Sequence, residues 1–166
     1  MKKGQAAMEF LMTYGWAILV VIAAIAALAY FGVLDPARLL PERCSAPAGM
    51  DCIDKASIVG ENSDAANDGT LTFALRNNIA FPLSVQDATE SDGVCTGTPR
   101  ANINGAWCNL PCATADVANN DVFQVELNGC DIQSGEKYDD AVTVSYTNTE
   151  SNLPNQAVVD IRGRVS

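Results

Sequence analysis

Two hydrophobic rhythms divide the chain. From Phe10 to Leu34 the sequence FLMTYGWAILVVIAAIAALAYFGVL runs for 25 residues without a charge. At the α-helical rise such a run extends about 37 Å, enough to cross the hydrocarbon of a bilayer. A cleavable secretory leader has an apolar region of only about 7–15 residues, so this longer run is expected to stay on the protein as a helix. Beyond it the period falls to two. Leu71, Phe73 and Leu75 alternate with Thr70, Thr72 and Ala74, and Phe123, Val125 and Leu127 alternate with Gln124 and Glu126. Val142, Val144 and Tyr146 face away from Thr143, Ser145 and Thr147, as Val159, Ile161 and Val165 do from Asp160, Arg162 and Arg164. Such alternation marks half-buried strands.

Turn chemistry punctuates the strands. Asn77-Asn78, between Leu71–Arg76 and Ile79–Val85, predicts a tight hairpin, because asparagine tolerates left-handed backbone geometry. Pro82 assigns the second run to an edge or a bulge. Asn128-Gly129 and Ser134-Gly135 predict two further turns. At the other boundary, Asp35-Pro36 closes the apolar run, since proline disfavours helical geometry in the residue before it. A helix can restart with proline in its first turn, so residues 35–43 read as a short helix or a neck. The predicted fold class is α+β: a long N-terminal hydrophobic α-helix followed by a disulfide-braced, antiparallel β-sandwich-like domain.

Charge and composition narrow the function. The chain has 20 acidic and 10 basic side chains, a net charge of −10, and no histidine. An acidic surface without basic patches repels phosphate backbones, so no nucleic acid partner is expected. Without histidine the commonest general base, the commonest metal ligand and every Ser–His or Cys–His nucleophile pair are missing. The expectation is a protein that is not an enzyme and holds no cofactor. The oxygen-rich segment 62–69 lacks the spacing and closing glutamate of an EF-hand and reads as a solvated turn, and Glu136, Asp139 and Asp140 read as a charged loop.

All six cysteines, Cys44, Cys52, Cys95, Cys108, Cys112 and Cys130, follow the apolar run. An even number in an exported domain reads as three disulfides. Cys44–Cys52 is the most natural pair, and spacing leaves the other four open. A zinc site built on Cys108 and Cys112 lacks both histidine and a second close cysteine pair. The cysteines place the C-terminal part outside the cell, and Lys2 and Lys3 before the apolar run favour a cytoplasmic N-terminus.

The start of the chain adds specific detail. Ala23, Ala24, Ala26, Ala27 and Ala29 crowd the second half of the run, and small side chains let helices approach closely. Glu9 lies at the edge of the run, one helical turn after Gln5. A carboxylate there is costly and tends to be kept for a partner, or for the positive end of the helix dipole.

The residues Lys2-Lys3-Gly4-Gln5-Ala6-Ala7-Met8-Glu9-Phe10-Leu11, continuing into Met12-Thr13-Tyr14-Gly15-Trp16-Ala17-Ile18, closely resemble the class III signal sequence of archaeal type IV pilin precursors. That resemblance implies cleavage between Gly4 and Gln5 by a prepilin peptidase, with Glu9 and Phe10 at the assembly interface. It implies a leader of residues 1–4, a transmembrane and filament-core helix of residues 5–34, the neck at 35–43 and an extracellular β domain of residues 44–166. The implied partners are sister copies in a homo-oligomeric filament, the prepilin peptidase, a pilus assembly platform with its ATPase, and the membrane before assembly. The implied localisation is a single-pass membrane protein that moves into a surface filament serving adhesion. A monomeric, membrane-anchored surface binding protein with a pilin-type export signal is the alternative expectation.

Overall fold

The period-two segments fold as strands of two antiparallel sheets. The computed structural model describes residues 3–30, 41–61, 68–112 and 115–166, and on the helix it describes the side chains at positions 8, 9, 12 and 14–30. The chain divides into two compact units, Met1–Leu40 and Pro41–Ser166.

The first unit contains a helix, α1 (Lys3–Tyr30). The second contains β1 (Arg43–Ser45), β2 (Met50–Cys52), β3 (Ser57–Val59), β4 (Gly69–Asn77), β5 (Leu83–Glu90), β6 (Arg100–Ile103), β7 (Ala106–Asn109), β8 (Val122–Cys130), β9 (Lys137–Asn148) and β10 (Pro154–Arg164). One sheet has the order β1-β10-β9-β5. The other runs β2-β4-β8-β6-β7, with β3 paired to β4 beside β2.

The predicted alternation becomes the core. In the six-stranded sheet Leu71, Phe73 and Leu75 of β4 and Phe123, Val125 and Leu127 of β8 are buried, and Val142, Val144, Val159 and Ile161 are buried in the four-stranded sheet. These side chains belong to one hydrophobic cluster, as expected when two sheets each bury one face. Fully burying a Leu, Val or Phe side chain contributes roughly 1.5–3 kcal/mol, so the sandwich is stabilised mainly by these alternate positions.

Among the described residues, no helix is long and apolar enough to cross a membrane. The expected α+β architecture with a membrane-spanning helix is therefore corrected to a mostly β chain carrying an antiparallel, sandwich-like fold. The single-pass localisation is withdrawn with it. Residues 31–40, which hold most of the expected neck and the end of the expected span, lie outside the described residues.

Two predicted turns are also corrected. Asn77-Asn78 does not join a hairpin: β4 and β5 lie in different sheets, and the chain crosses between them at 78–82. Asn77 is fully buried there. Its Nδ2 donates to the carbonyl oxygens of Phe81, Val117 and Ala118, each at 3.1 Å, while its Oδ1 accepts from the Ile79 amide at 2.9 Å. The side chain thus supplies partners that main-chain groups lose at the crossing, where an unpaired buried group would be costly. Asn128-Gly129 is a bulge within β8, where the register against β4 shifts between Gly69 and Thr70. Gly129 takes φ 66° there, a backbone conformation that glycine adopts without strain. Ser134-Gly135 is a turn, as expected. Pro82 directly precedes β5, the edge strand of its sheet, and β5 carries a bulge between Val85 and Asp87.

Candidate assembly surface

The side chains of α1 form an apolar surface that encircles the helix. Five consecutive residues, Ile18, Leu19, Val20, Val21 and Ile22, are all exposed. Successive residues of an α-helix are about 100° apart, so these five pass around the whole circumference. Trp16 and Leu19 are each 68% exposed and Ile22 61%. A helix apolar on every side is one whose surroundings must be apolar too, whereas an ordinary surface helix would show a polar face.

Within this surface Tyr14, Ala17, Ile18, Val21 and Ile22 line an apolar hollow. Their spacing of three, four, seven and eight residues places them on one stripe, with Ala17 as the small member between larger neighbours. Such a hollow has the shape that receives a side chain from another helix. The sequence reading named the alanines and Glu9 but not this stripe, although its i, i+3, i+4, i+7 spacing was the readable signal.

Gly4, Gln5 and Phe10 lie within α1, and their side-chain surroundings fall outside what is described. Glu9 is exposed on the helix. The expected cut between Gly4 and Gln5 thus falls inside a continuous helical segment that begins at Lys3.

The six cysteines form three disulfides, Cys44–Cys52, Cys95–Cys130 and Cys108–Cys112. The first is the expected pair. It joins β1 of the four-stranded sheet to β2 of the six-stranded sheet. Cys95–Cys130 ties the connection between β5 and β6 to the end of β8, where the two cysteines also form an isolated β-bridge. Gly97 lies two residues on, its amide donating to the Asn128 carbonyl at 2.9 Å. A Cβ at Gly97 would run into the main chain of Asn128, so this close approach requires glycine. Cys108–Cys112 closes the residues after edge strand β7. As disulfide sulfurs, Cys108 and Cys112 are not the thiolates that bind zinc.

The acidic residues have structural partners. Asp139 and Asp140, expected in a loop, lie in β9. Asp139 accepts from Arg162 Nη2 at 2.7 Å, directly across the β9–β10 ladder. Asp140 accepts from the Ser91 hydroxyl at 2.8 Å and the Asp92 amide at 3.2 Å. Glu90 receives the Cys95 amide on one oxygen and the Tyr138 hydroxyl on the other, the latter at 2.9 Å. Burial, and then the hydrogen bond to Glu90, push the Tyr138 pKa well above the ordinary tyrosine range. Tyr138 therefore remains a neutral donor. Residues 62–67 of the oxygen-rich segment lie outside the described residues. Among the described residues no three His, Cys, Asp or Glu side chains converge to hold a metal ion.

No protein-family model matches this chain, and no curated protein matches it in sequence.

Proposed function

We propose that this chain is a structural subunit of a filament of the archaeal type IV pilin kind, polymerising through α1 after removal of residues 1–4 and displaying its β unit outward for adhesion. The observation that carries the reading is the apolar surface around the full circumference of α1, which one chain leaves exposed and sister helices would cover. Burying each Ile, Leu or Val there is worth roughly 1.5–3 kcal/mol, so a few subunit contacts supply a large driving force. The stripe of Tyr14, Ala17, Ile18, Val21 and Ile22 is the proposed packing seam. The resemblance of Lys3-Gly4-Gln5 and Glu9 to the pilin pattern assigns the prepilin peptidase cut and gives Glu9 the task of meeting the new amine of a neighbouring Gln5, a pairing favoured in a low-dielectric core. The disulfides fit assembly in an oxidising compartment.

The test is electron microscopy of appendages sheared from producing cells, with the Ile18→Asp, Ile22→Asp double variant beside the wild type. The wild type should give filaments containing this chain with residues 1–4 absent by mass. The variant should give none, with the unfolding midpoint of its β unit unchanged. Filaments of normal yield from the variant, or a wild type that never sediments as filaments, would remove the proposal.

A further inference from the structure

The three disulfides differ in their surroundings. Cys95–Cys130 and Cys108–Cys112 each join a half-buried cysteine to a buried one, Cys130 being 0% exposed and Cys112 2%. Cys44 and Cys52 are both half-buried, and both line one open hollow together with Ala46, Asp51 and Arg76. Topology explains the contrast. β1 and β2 are outer strands of their sheets, so the bond between them lies at the flank of the sandwich. β8, which ends at Cys130, is flanked by β4 and β6. Cys112 sits against β5, its amide donating to the Val85 carbonyl at 3.2 Å.

That contrast bears on thiol–disulfide exchange. A thiolate attacks one sulfur, forms a bond to it, and expels the other sulfur with the electron pair of the broken bond. The attacked sulfur must be reachable, and the expelled one must be tolerated as an anion. In two of the bonds the more accessible residue is Cys95 or Cys108. Attack there expels Cys130 or Cys112 as a buried thiolate, without water to solvate it. The Cys130 sulfur also lies 3.6 Å from the Leu127 carbonyl oxygen, whose lone pairs oppose a negative charge. Cys44 and Cys52 both border the hollow, so whichever sulfur is attacked, the other leaves beside solvent. Asp51 and Arg76 border it with opposite charges, so the local charge does not exclude an anionic thiolate.

From this arrangement we infer that Cys44–Cys52 is a thiol-exchange site, the one disulfide that an external dithiol opens while the β unit stays folded. The first thiolate of the dithiol forms a mixed disulfide with one cysteine and releases the other; its second thiolate then displaces the bound cysteine. The protein gains two electrons and two protons as two thiols, and the dithiol becomes a disulfide. What is lost is the covalent link between the sheets, leaving β1 with three residue pairs to β10 and β2 with three to β4. Leu71, Phe73 and Leu75 of β4, Phe123 and Val125 of β8 and the valines of β9 stay buried on other strands, so the core outlasts the bond. The inference goes beyond filament assembly and does not rest on it, because a chain that never polymerises keeps the site.

The experiment treats the full chain in detergent solution with rising dithiothreitol, blocks new thiols with iodoacetamide and locates them by peptide mass mapping. Cys44 and Cys52 should be alkylated together, at least about ten times faster than the other four cysteines. The far-UV circular dichroism should not change as they react. Low urea, below the unfolding transition, should leave their rate unaltered, since exchange at this bond requires no global opening. The Cys44→Ala, Cys52→Ala double variant should lack the fast phase altogether. The inference is overturned if Cys95, Cys108, Cys112 or Cys130 reacts first, or if all six react together. It is equally overturned if Cys44 and Cys52 stay unreactive until the chain unfolds, or if their rate climbs with urea as global unfolding does.

Discussion

The β unit and α1 handle apolar residues in opposite ways. In β4, β8, β9 and β10 the buried side chains fall at alternate positions and are mostly apolar, so the unit buries its own hydrophobic surface. Along α1 apolar side chains face every direction and stay exposed. The first region carries within itself the contacts that stabilise it; the second presents its apolar side chains outward. Hydrophobic content therefore says little until its periodicity is known, because the same residue types produce a closed core in one region and an open surface in the other.

Substitutions can break or sharpen this contrast. The largest effect is expected at Phe73, fully inside the sandwich: Phe73→Ala should cost about 3–5 kcal/mol through lost transfer energy and the cavity left behind. Urea denaturation of the monomeric chain reads this directly. The matching change in α1, Ile22→Ala, should leave the same transition unmoved, and equal shifts would mean that the helix shares the core's stability. A smaller effect follows from the Cys44→Ala, Cys52→Ala pair. Its loop is short, with a sequence separation of 8, and the chain-entropy relation gives about 2.5 kcal/mol. A loss well above that figure would show that the link between the sheets contributes native-state packing as well.

The smallest effect is a dependence on pH. Tyr138 has its pKa raised in the folded chain, by burial first and then by Glu90. Above about pH 10 the unfolded chain releases this proton while the native chain retains it. Stability should then fall as pH rises, with a slope of at most about 1.4 kcal/mol per pH unit from this residue. Tyr146, raised by burial, acts in the same direction. Urea midpoints at pH 9 and pH 11 test this, and Tyr138→Phe should flatten the slope. An unaltered slope in that variant would assign the effect elsewhere.

The strands with clean alternation were legible because each has one buried and one solvated face. Less legible were features set by distant parts of the chain. Asn77-Asn78 has the local chemistry of a hairpin, yet the segment leaves one sheet for the other, and the role of Asn77 depends on carbonyls of residues 117 and 118. Asn128-Gly129 has the chemistry of a turn and forms a bulge, because β8 is held on both sides by β4 and β6. The reverse error occurred at Asn104-Gly105. There φ values of 55° and 85° make a tight turn between β6 and β7, and the Asn-Gly pair is among the strongest local hairpin signals. Of the disulfides, spacing pointed only to Cys44–Cys52. Cys95–Cys130 depends on the strand pairing that brings residues 35 apart in sequence together. For the candidate sites, the apolar character of α1 was plain in the sequence.

The bond between Cys44 and Cys52 also has a mechanical meaning. A pull on the chain from its N-terminal side enters the β unit at β1, which three residue pairs hold to β10. Alone, so short a strand would peel away one hydrogen bond after another. The covalent tie to β2 passes the tension to the second sheet at the same moment, so the two sheets resist it in parallel and the weakest strand is not the first to yield.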